Sequence, residues 1–93
     1  MPDHSPTRSL SLAELPDGTA AVVERLVPLS SVVDEASLRR LGDVGFIPGE
    51  PVKVVRRGPG GREPLAVLIG QTMFALRLVE AQCVKVTVEV TQP

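Results

Sequence analysis

The chain has few of the side chains on which catalysis, base stacking and disulfide bonding depend. Its 93 residues contain no Trp, no Tyr, two Phe, one Cys and one His. A single cysteine excludes an internal disulfide, so nothing in the sequence requires an oxidising compartment. His4 and Cys83 lie near opposite ends of the chain and form no evident nucleophile–base pair. We therefore predict that the protein is not an enzyme.

Charge and hydropathy argue against two further classes of protein. Ten Lys and Arg against 11 Asp and Glu give a formal net charge of −1, whereas nucleic-acid binders usually carry a basic surplus. No apolar run approaches the roughly 20 residues needed to span a bilayer. The N-terminus also lacks the basic start and apolar stretch of a secretory signal. We predict a cytoplasmic protein that binds no nucleic acid and does not insert into a membrane.

Valine-rich segments predict short β-strands. The clearest is 84–90, in which valines alternate with Lys85, Thr87 and Glu89, as expected for a half-buried strand. Further strands are predicted over 19–27, 51–57, 64–69 and 72–78, with a hairpin tip at 58–61 and one helical turn at 79–82.

One short amphipathic helix is predicted between the first two of these strands. Leu38 and Leu41 fall on one helical face, and Asp34 is the predicted N-cap. The side chains predicted to point toward water are those of Arg39, Arg40 and Asp43.

The end of this helix is marked by its own residues. Gly45 lies where a helix needs a left-handed residue to stop, and Phe46 follows where a Schellman motif places an apolar contact back onto Leu41. Pro48 and Gly49 suit the two central positions of a type II turn, because proline presets the first dihedral and glycine tolerates a positive φ at the second. The segment predicts a helix set rigidly against a small barrel.

The order of elements predicts a mainly β fold. Five short strands, one helix in the first long connection and one helical turn before the last strand describe an SH3-like barrel. A five-stranded OB-type barrel is the alternative, although its helix usually comes later in the chain. Residues 1–9 are polar and predict a flexible tail, with Leu12 and Leu15 anchoring a turn ahead of the first strand. Residues 10–91 then form a single domain.

Three segments resemble the FeoA family. Residues 12–18 read Leu-Ala-Glu-Leu-Pro-Asp-Gly, residues 38–49 read Leu-Arg-Arg-Leu-Gly-Asp-Val-Gly-Phe-Ile-Pro-Gly, and residues 74–81 read Phe-Ala-Leu-Arg-Leu-Val-Glu-Ala. The middle segment is the most specific, and the resemblance extends over about residues 10–90. One departure is the approach to the helix, where Ser-Ser-Val-Val-Asp at 30–34 replaces the glycine-rich approach frequent in the family.

The resemblance implies a function through protein contacts. FeoA proteins are small cytosolic accessory proteins of bacterial ferrous iron uptake, and the expected partner is FeoB, the membrane permease with a cytosolic GTPase domain. Activation, gating and scaffolding of the permease all stay open. The same barrel occurs as the C-terminal domain of iron-dependent repressors, so a metal-responsive regulatory domain is the alternative. The absence of a helix-turn-helix segment ahead of the barrel disfavours it.

The predicted contact residues cluster around the helix and one hairpin. In SH3-like barrels the surface around the first long connection is the usual recognition site, and arginine is enriched at protein interfaces. Phe46 is predicted to pack in the core or, alternatively, to act as an exposed anchor. The predicted partner-binding residues are Arg39, Arg40, Asp43, Phe46, Ile47, Arg56, Arg57 and Arg62, with Gly45, Pro48 and Gly49 as structural turn residues.

The hairpin arginines have a second interpretation. Arg56, Arg57 and Arg62 surround the glycine-rich segment 58–61. They predict either a solvated edge or a contact with anionic lipid or an acidic partner. The segment is not a phosphate loop, because it lacks the trailing Lys-Ser/Thr pair and joins two strands.

No metal or cofactor site is predicted. Cys83 has no second cysteine or nearby histidine and is expected to be a small buried side chain. His4 lies in the polar tail, where any bound metal would be adventitious. Ferrous iron needs several His and carboxylate ligands, so the iron is expected to be handled by the partner.

Two other modes of association concern proline-rich peptides and self-association. Modules that grip proline-rich peptides use clustered aromatic rings, and two Phe do not provide them. Weak self-association through an exposed strand edge stays open.

Overall fold

The structure is a computed structural model that describes residues 7–29 and 33–89. Within these residues, six antiparallel strands form one sheet. The spatial order is β1-β6-β2-β3-β4-β5. The strands are Thr7–Ser11 (β1), Ala20–Leu26 (β2), Pro51–Gly58 (β3), Arg62–Ile69 (β4), Thr72–Leu76 (β5) and Val84–Glu89 (β6), and the helices are Glu35–Asp43 (α1) and Leu78–Gln82 (α2).

The inward faces of the strands share one core with the ends of the helices. From Leu65 onward every second residue of β4 is buried, as the alternation of Leu65, Val67 and Ile69 predicts. α1 contributes Leu41, and α2 contributes Ala81. Half-buried side chains such as those of Leu38, Phe74 and Val88 complete this core at its margins.

The mainly β fold and the five predicted strands are confirmed, but the strand count was one too low. Residues 7–9 were predicted to belong to a flexible tail, whereas they lie in β1 and pair antiparallel with β6, with Arg8 opposite Val88. β1 is mostly exposed, so its sequence shows little alternation of apolar and polar residues from which a strand could be predicted. Its strand conformation depends on pairing with β6. Residues 1–6 and Val90 lie outside the described residues.

A shared carboxylate ties β1 and β6 to β2. The Ser9 Oγ donates to Glu24 Oε1 at 2.7 Å, and the Thr87 Oγ1 donates to the same oxygen at 3.2 Å. These bonds, the one from Ser9 first, lower the pKa of Glu24. A polar contact outside the core therefore supports the strand that the sequence did not predict.

The predicted lead-in turn is confirmed as a single turn of 3₁₀ helix at Leu12–Glu14. Leu12 and Leu15 are fully buried, and the Ser11 N–H donates to Glu14 Oε1 at 2.9 Å. The Thr19 N–H then donates to the Pro16 carbonyl oxygen at 3.2 Å. This turn delivers the chain to β2.

The pairing of β2 with β3 is short and leaves room for α1. It extends over three residue pairs, from Ala20↔Lys53 to Val22↔Pro51. The chain between these strands carries α1, as the sequence predicts. The helix and the turn that follows it therefore lie at one end of the β2–β3 pair.

Candidate partner-recognition surface

α1 begins and ends where the sequence predicts. The Ser37 N–H donates to Asp34 Oδ1 at 2.9 Å, which confirms Asp34 as the N-cap. The same bond is the main cause of the lowered pKa of Asp34. The Asp34 carboxylate is therefore a fixed negative charge at the start of the helix.

The end of α1 is a Schellman motif. The Phe46 N–H donates to the Leu41 carbonyl oxygen at 3.0 Å, and the Gly45 N–H donates to that of Gly42 at 3.1 Å. Gly45 has a φ of +124°, which favours glycine because a Cβ would strain the backbone. The predicted helix stop is confirmed.

The turn after α1 is locked to β2. The Glu50 N–H donates to the Ile47 carbonyl oxygen at 3.1 Å, and Gly49 has a φ of +92°, as a type II turn requires. The Gly49 N–H donates to the Val23 carbonyl oxygen, and the Val23 N–H donates to that of Glu50, both at 2.9 Å. The predicted turn is confirmed, and β2 fixes its position.

Phe46 and Ile47 point in opposite directions from this rigid junction. Phe46 is 1% exposed, and its ring meets that of Phe74 edge to face at a centroid distance of 6.4 Å. Ile47 is 48% exposed. Phe46 therefore belongs to the core and cannot be a partner-binding anchor, because its side chain reaches no solvent. Ile47 presents an apolar side chain beside the helix end.

The outer face of α1 carries free charges. Arg39 and Asp43 are exposed, and neither makes an ion pair within 4 Å among the described residues. They are four positions apart and so lie on the same helical face. We call Arg39, Asp43, Ile47 and Pro48 the α1 recognition surface.

Arg40 differs from Arg39 because it pairs with a buried acid. Its Nη2 lies 3.6 Å from Glu80 Oε2, and the Arg77 Nη2 lies 3.7 Å from the same oxygen. Glu80 has a side chain only 6% exposed, and its Oε1 accepts from the Arg77 N–H at 2.8 Å. Glu80 is a site residue that sequence reasoning missed. The available signal was a glutamate at the third position of α2, where its side chain can accept from the backbone N–H just before the helix.

The hairpin arginines divide into one internal and two exposed side chains. Arg57 donates to Asp17 Oδ1 at 2.9 Å and to the Leu15 carbonyl oxygen at 2.5 Å. Its side chain is 16% exposed, so the predicted role in partner contact does not fit Arg57. Arg56 and Arg62 are exposed. A register shift in the pairing of β3 with β4, between Val54 and Arg56, explains why the alternation of β3 breaks at this point.

Arg57 is expected to be a structural residue. Arg57→Met should lower the free energy of unfolding by about 1–2 kcal/mol, because it removes two charge-assisted hydrogen bonds and leaves the Leu15 carbonyl unpaired. Chemical denaturation followed by circular dichroism measures this difference. Arg56→Met is the matched control and should change stability by less than about 0.5 kcal/mol. Equal effects of the two variants would contradict this assignment.

The described residues offer no ligand set for a metal ion. Within 7–29 and 33–89, no three His, Cys, Asp or Glu side chains come together in a suitable arrangement. Cys83 is fully buried, as predicted, and its Sγ donates to the Val79 carbonyl oxygen at 3.4 Å. His4 lies outside the described residues. Over those same two ranges, no helix is long and apolar enough to cross a bilayer.

The fold is that of a small SH3-like domain, and solved structures confirm that class. FeoA of Stenotrophomonas maltophilia, solved in complex with zinc, is 48% identical, with a TM-score of 0.73, 83% of this chain covered and 88% of that one. It is described as an SH3 domain protein and a candidate activating factor for ferrous iron transport. FeoA of Chlorobium tepidum is 28% identical, with a TM-score of 0.76, covering 90% of this chain and 74% of that one.

The family model for the FeoA domain matches residues 10–88. The chain belongs to the FeoA family of ferrous iron transport proteins, as the sequence motifs implied. This is a family of small SH3-like accessory domains and not a known family of enzymes. A search of curated protein sequences gives no match.

The likeness to repressors is one of fold alone. IdeR of T. acidophilum is 21% identical, with a TM-score of 0.67, and this chain covers 37% of it. A manganese-dependent transcriptional repressor is 24% identical, with a TM-score of 0.68. At these identities the shared barrel carries no conclusion about regulation by metal.

Proposed function

We propose that this protein is an adaptor in ferrous iron uptake that binds the cytosolic GTPase domain of a FeoB-type permease through the α1 recognition surface. The observation that carries the proposal is the way α1 ends. A Schellman motif and a type II turn, both hydrogen-bonded, hold Arg39, Asp43 and Ile47 outward on a rigid junction. A contact surface that is ordered before binding loses little conformational entropy on association.

The composition of this surface suits a protein partner. Ile47 supplies an exposed apolar side chain, and Arg39 and Asp43 supply charges that no described residue neutralises within 4 Å. Apolar contact with flanking charges is the usual organisation of a recognition patch, in which charges steer the encounter. The S. maltophilia relative is described as a candidate activating factor for ferrous iron transport, which supports a role in ferrous iron uptake.

The β3–β4 hairpin is proposed as a second, weaker contact region. Arg56 and Arg62 are exposed cations at its two strand ends. The nearby acid Glu63 is engaged elsewhere, because its Oε1 accepts from the Leu78 N–H at 2.6 Å. Arg56 and Arg62 outnumber Glu63, so the hairpin keeps a net positive charge that would assist approach to an acidic partner surface.

Arg39→Glu is expected to weaken binding of the isolated cytosolic domain of a FeoB-type permease by about tenfold at low salt. The fold should be unchanged, because Arg39 faces water. Isothermal titration calorimetry at two salt concentrations measures the effect, which should shrink near 1 M salt, where the Debye length falls to about 3 Å.

Arg8→Glu is the matched control for this experiment. It makes the same charge change on the exposed strand β1, outside the α1 recognition surface, and should leave the affinity unchanged. Arg40→Glu is a poor choice, since it would place a second carboxylate beside the buried Glu80. Equal affinities of wild type and Arg39→Glu would remove α1 from the interface. Ferrous uptake and permease GTPase rates, with and without this protein, would then test the adaptor role itself.

A further inference from the structure

Strand β5 ends the sheet with one edge free of other strands. In the described part of the chain it pairs with β4 alone, from Leu65↔Leu76 to Ile69↔Thr72. Its sequence, Thr-Met-Phe-Ala-Leu, contains no charge and no proline. Proteins usually protect such an edge with charged residues, proline or a covering element. β5 therefore retains the backbone groups to which another extended chain could hydrogen-bond.

An open groove lies between this strand and α1. It has a volume of about 590 Å³. Ala75 lines it on the β5 side, and Ala36 and Ser37 line it on the α1 side. These small side chains leave the space open beside the strand. The groove is distinct from the α1 recognition surface, whose residues do not line it.

Two guanidinium groups line the groove, together with the carboxylates of Asp34 and Glu80. The side chains of Arg40 and Arg77 are 68% and 58% exposed. Both are drawn toward Glu80 Oε2, yet at 3.6 and 3.7 Å each remains beyond hydrogen-bond distance from it. Their N–H donors therefore remain available to a second carboxylate, which arginine binds with well-defined geometry.

We propose that this groove binds an extended segment of a partner protein, which adds to β5 as a further strand and places a carboxylate side chain against Arg40 and Arg77. Backbone hydrogen bonds to β5 supply sequence-independent affinity, and the arginine pair supplies the preference for an acidic residue. This mode needs none of the aromatic rings that recognition of proline-rich peptides requires. It also does not depend on the identity of the permease as partner.

The charges favour an acidic segment over a second copy of the same edge. A second β5 brings no carboxylate to Arg40 and Arg77, since residues 72–76 carry no charge. The fixed negative charge of Asp34 lies on the same groove. The incoming carboxylate is thus directed toward the arginine pair and away from Asp34, which gives the bound segment one preferred register.

Nuclear magnetic resonance with a pair of model peptides tests the site directly. The probe is a six-residue peptide of alternating valine and threonine with one central glutamate, and its control has glutamine in place of glutamate. We expect amide shifts at Thr72–Leu76, at Arg77 and in α1 as far as Arg40. Binding of the glutamine peptide should be about three- to tenfold weaker. Equal affinities, or shifts confined to other elements, would overturn the proposal.

Two glutamate variants on β5 give a matched comparison. Ala75→Glu adds a carboxylate inside the groove beside Arg77, and it should weaken binding of the glutamate peptide by about tenfold or more. Met73→Glu adds the same charge on the same strand but outside the groove, and should weaken it by less than about threefold. Equal loss in both variants would contradict a role for the arginine pair.

Analytical ultracentrifugation distinguishes binding of a partner segment from self-association through β5. The wild-type chain should remain monomeric at the concentration used for nuclear magnetic resonance, and a dimer lost in Ala75→Glu would overturn the peptide site in favour of β5 pairing with β5. Failure of the peptide experiment leaves the Arg39→Glu result with the permease domain unaffected, and the reverse also holds.

Discussion

Phe46→Ala is expected to lower the free energy of unfolding by about 3–5 kcal/mol, the usual cost of removing a buried phenylalanine side chain. The ring is 1% exposed and contacts Phe74, and the core cluster includes it together with Leu41 and Val54. Small domains are stable by only about 5–15 kcal/mol. This one substitution should therefore remove much of the stability of the fold.

Ile47→Ala is the matched control, since it truncates the neighbouring apolar side chain on the opposite side of the same junction. Ile47 is 48% exposed, so its truncation should cost less than about 1 kcal/mol. Urea denaturation followed by circular dichroism measures both variants. A small effect of Phe46→Ala would mean that the ring does not support the core.

The variants Phe46→Ala and Ile47→Ala also distinguish an effect on stability from an effect on partner binding. Ile47→Ala should weaken binding of the permease domain while the protein stays folded. Phe46→Ala should reduce binding only in proportion to the unfolded fraction. If folded Phe46→Ala protein lost affinity beyond that fraction, the assignment of Phe46 to the core alone would be wrong.

Gly45→Val is expected to lower the free energy of unfolding by about 2–3 kcal/mol, because a β-branched residue is strained at positive φ. This loss of stability comes from the backbone conformation at Gly45 and not from a steric clash. A Cβ at Gly45 would meet the Ile69 Cγ1 at 3.6 Å, an ordinary contact, whereas the φ of +124° remains unfavourable. Thermal and urea denaturation measure the loss.

Gly42→Ala, three residues before Gly45, should have the opposite effect on the free energy of unfolding. Gly42 lies within α1, and a Cβ there would meet nothing closer than the Leu26 Cδ1 at 3.9 Å. Alanine should therefore stabilise the protein by about 0.5–1 kcal/mol. Equal melting temperatures of the Gly45→Val variant and the wild type would show that the helix does not stop at Gly45.

Local signals in the sequence predicted the elements around the candidate surface. The N-cap Asp34, the stop at Gly45 and the turn at Pro48 and Gly49 each depend on hydrogen bonds between residues within five positions of one another. The alternation of apolar residues in β4 likewise predicts which side chains face the core. Such features follow from backbone geometry and side-chain type, so a sequence is sufficient to recognise them.

What the sequence by itself determined was therefore the mainly β domain, its helix with both ends, and the family to which it belongs. Tertiary structure alone decided that residues 7–9 form a strand, that Arg57 is internal, and that Arg40 reaches Glu80. Each depends on partners far apart in the chain, such as Arg57 and Asp17, which are 40 positions apart. A charged side chain has the same sequence signal whether it faces water or a distant carboxylate, and only folding brings that carboxylate close.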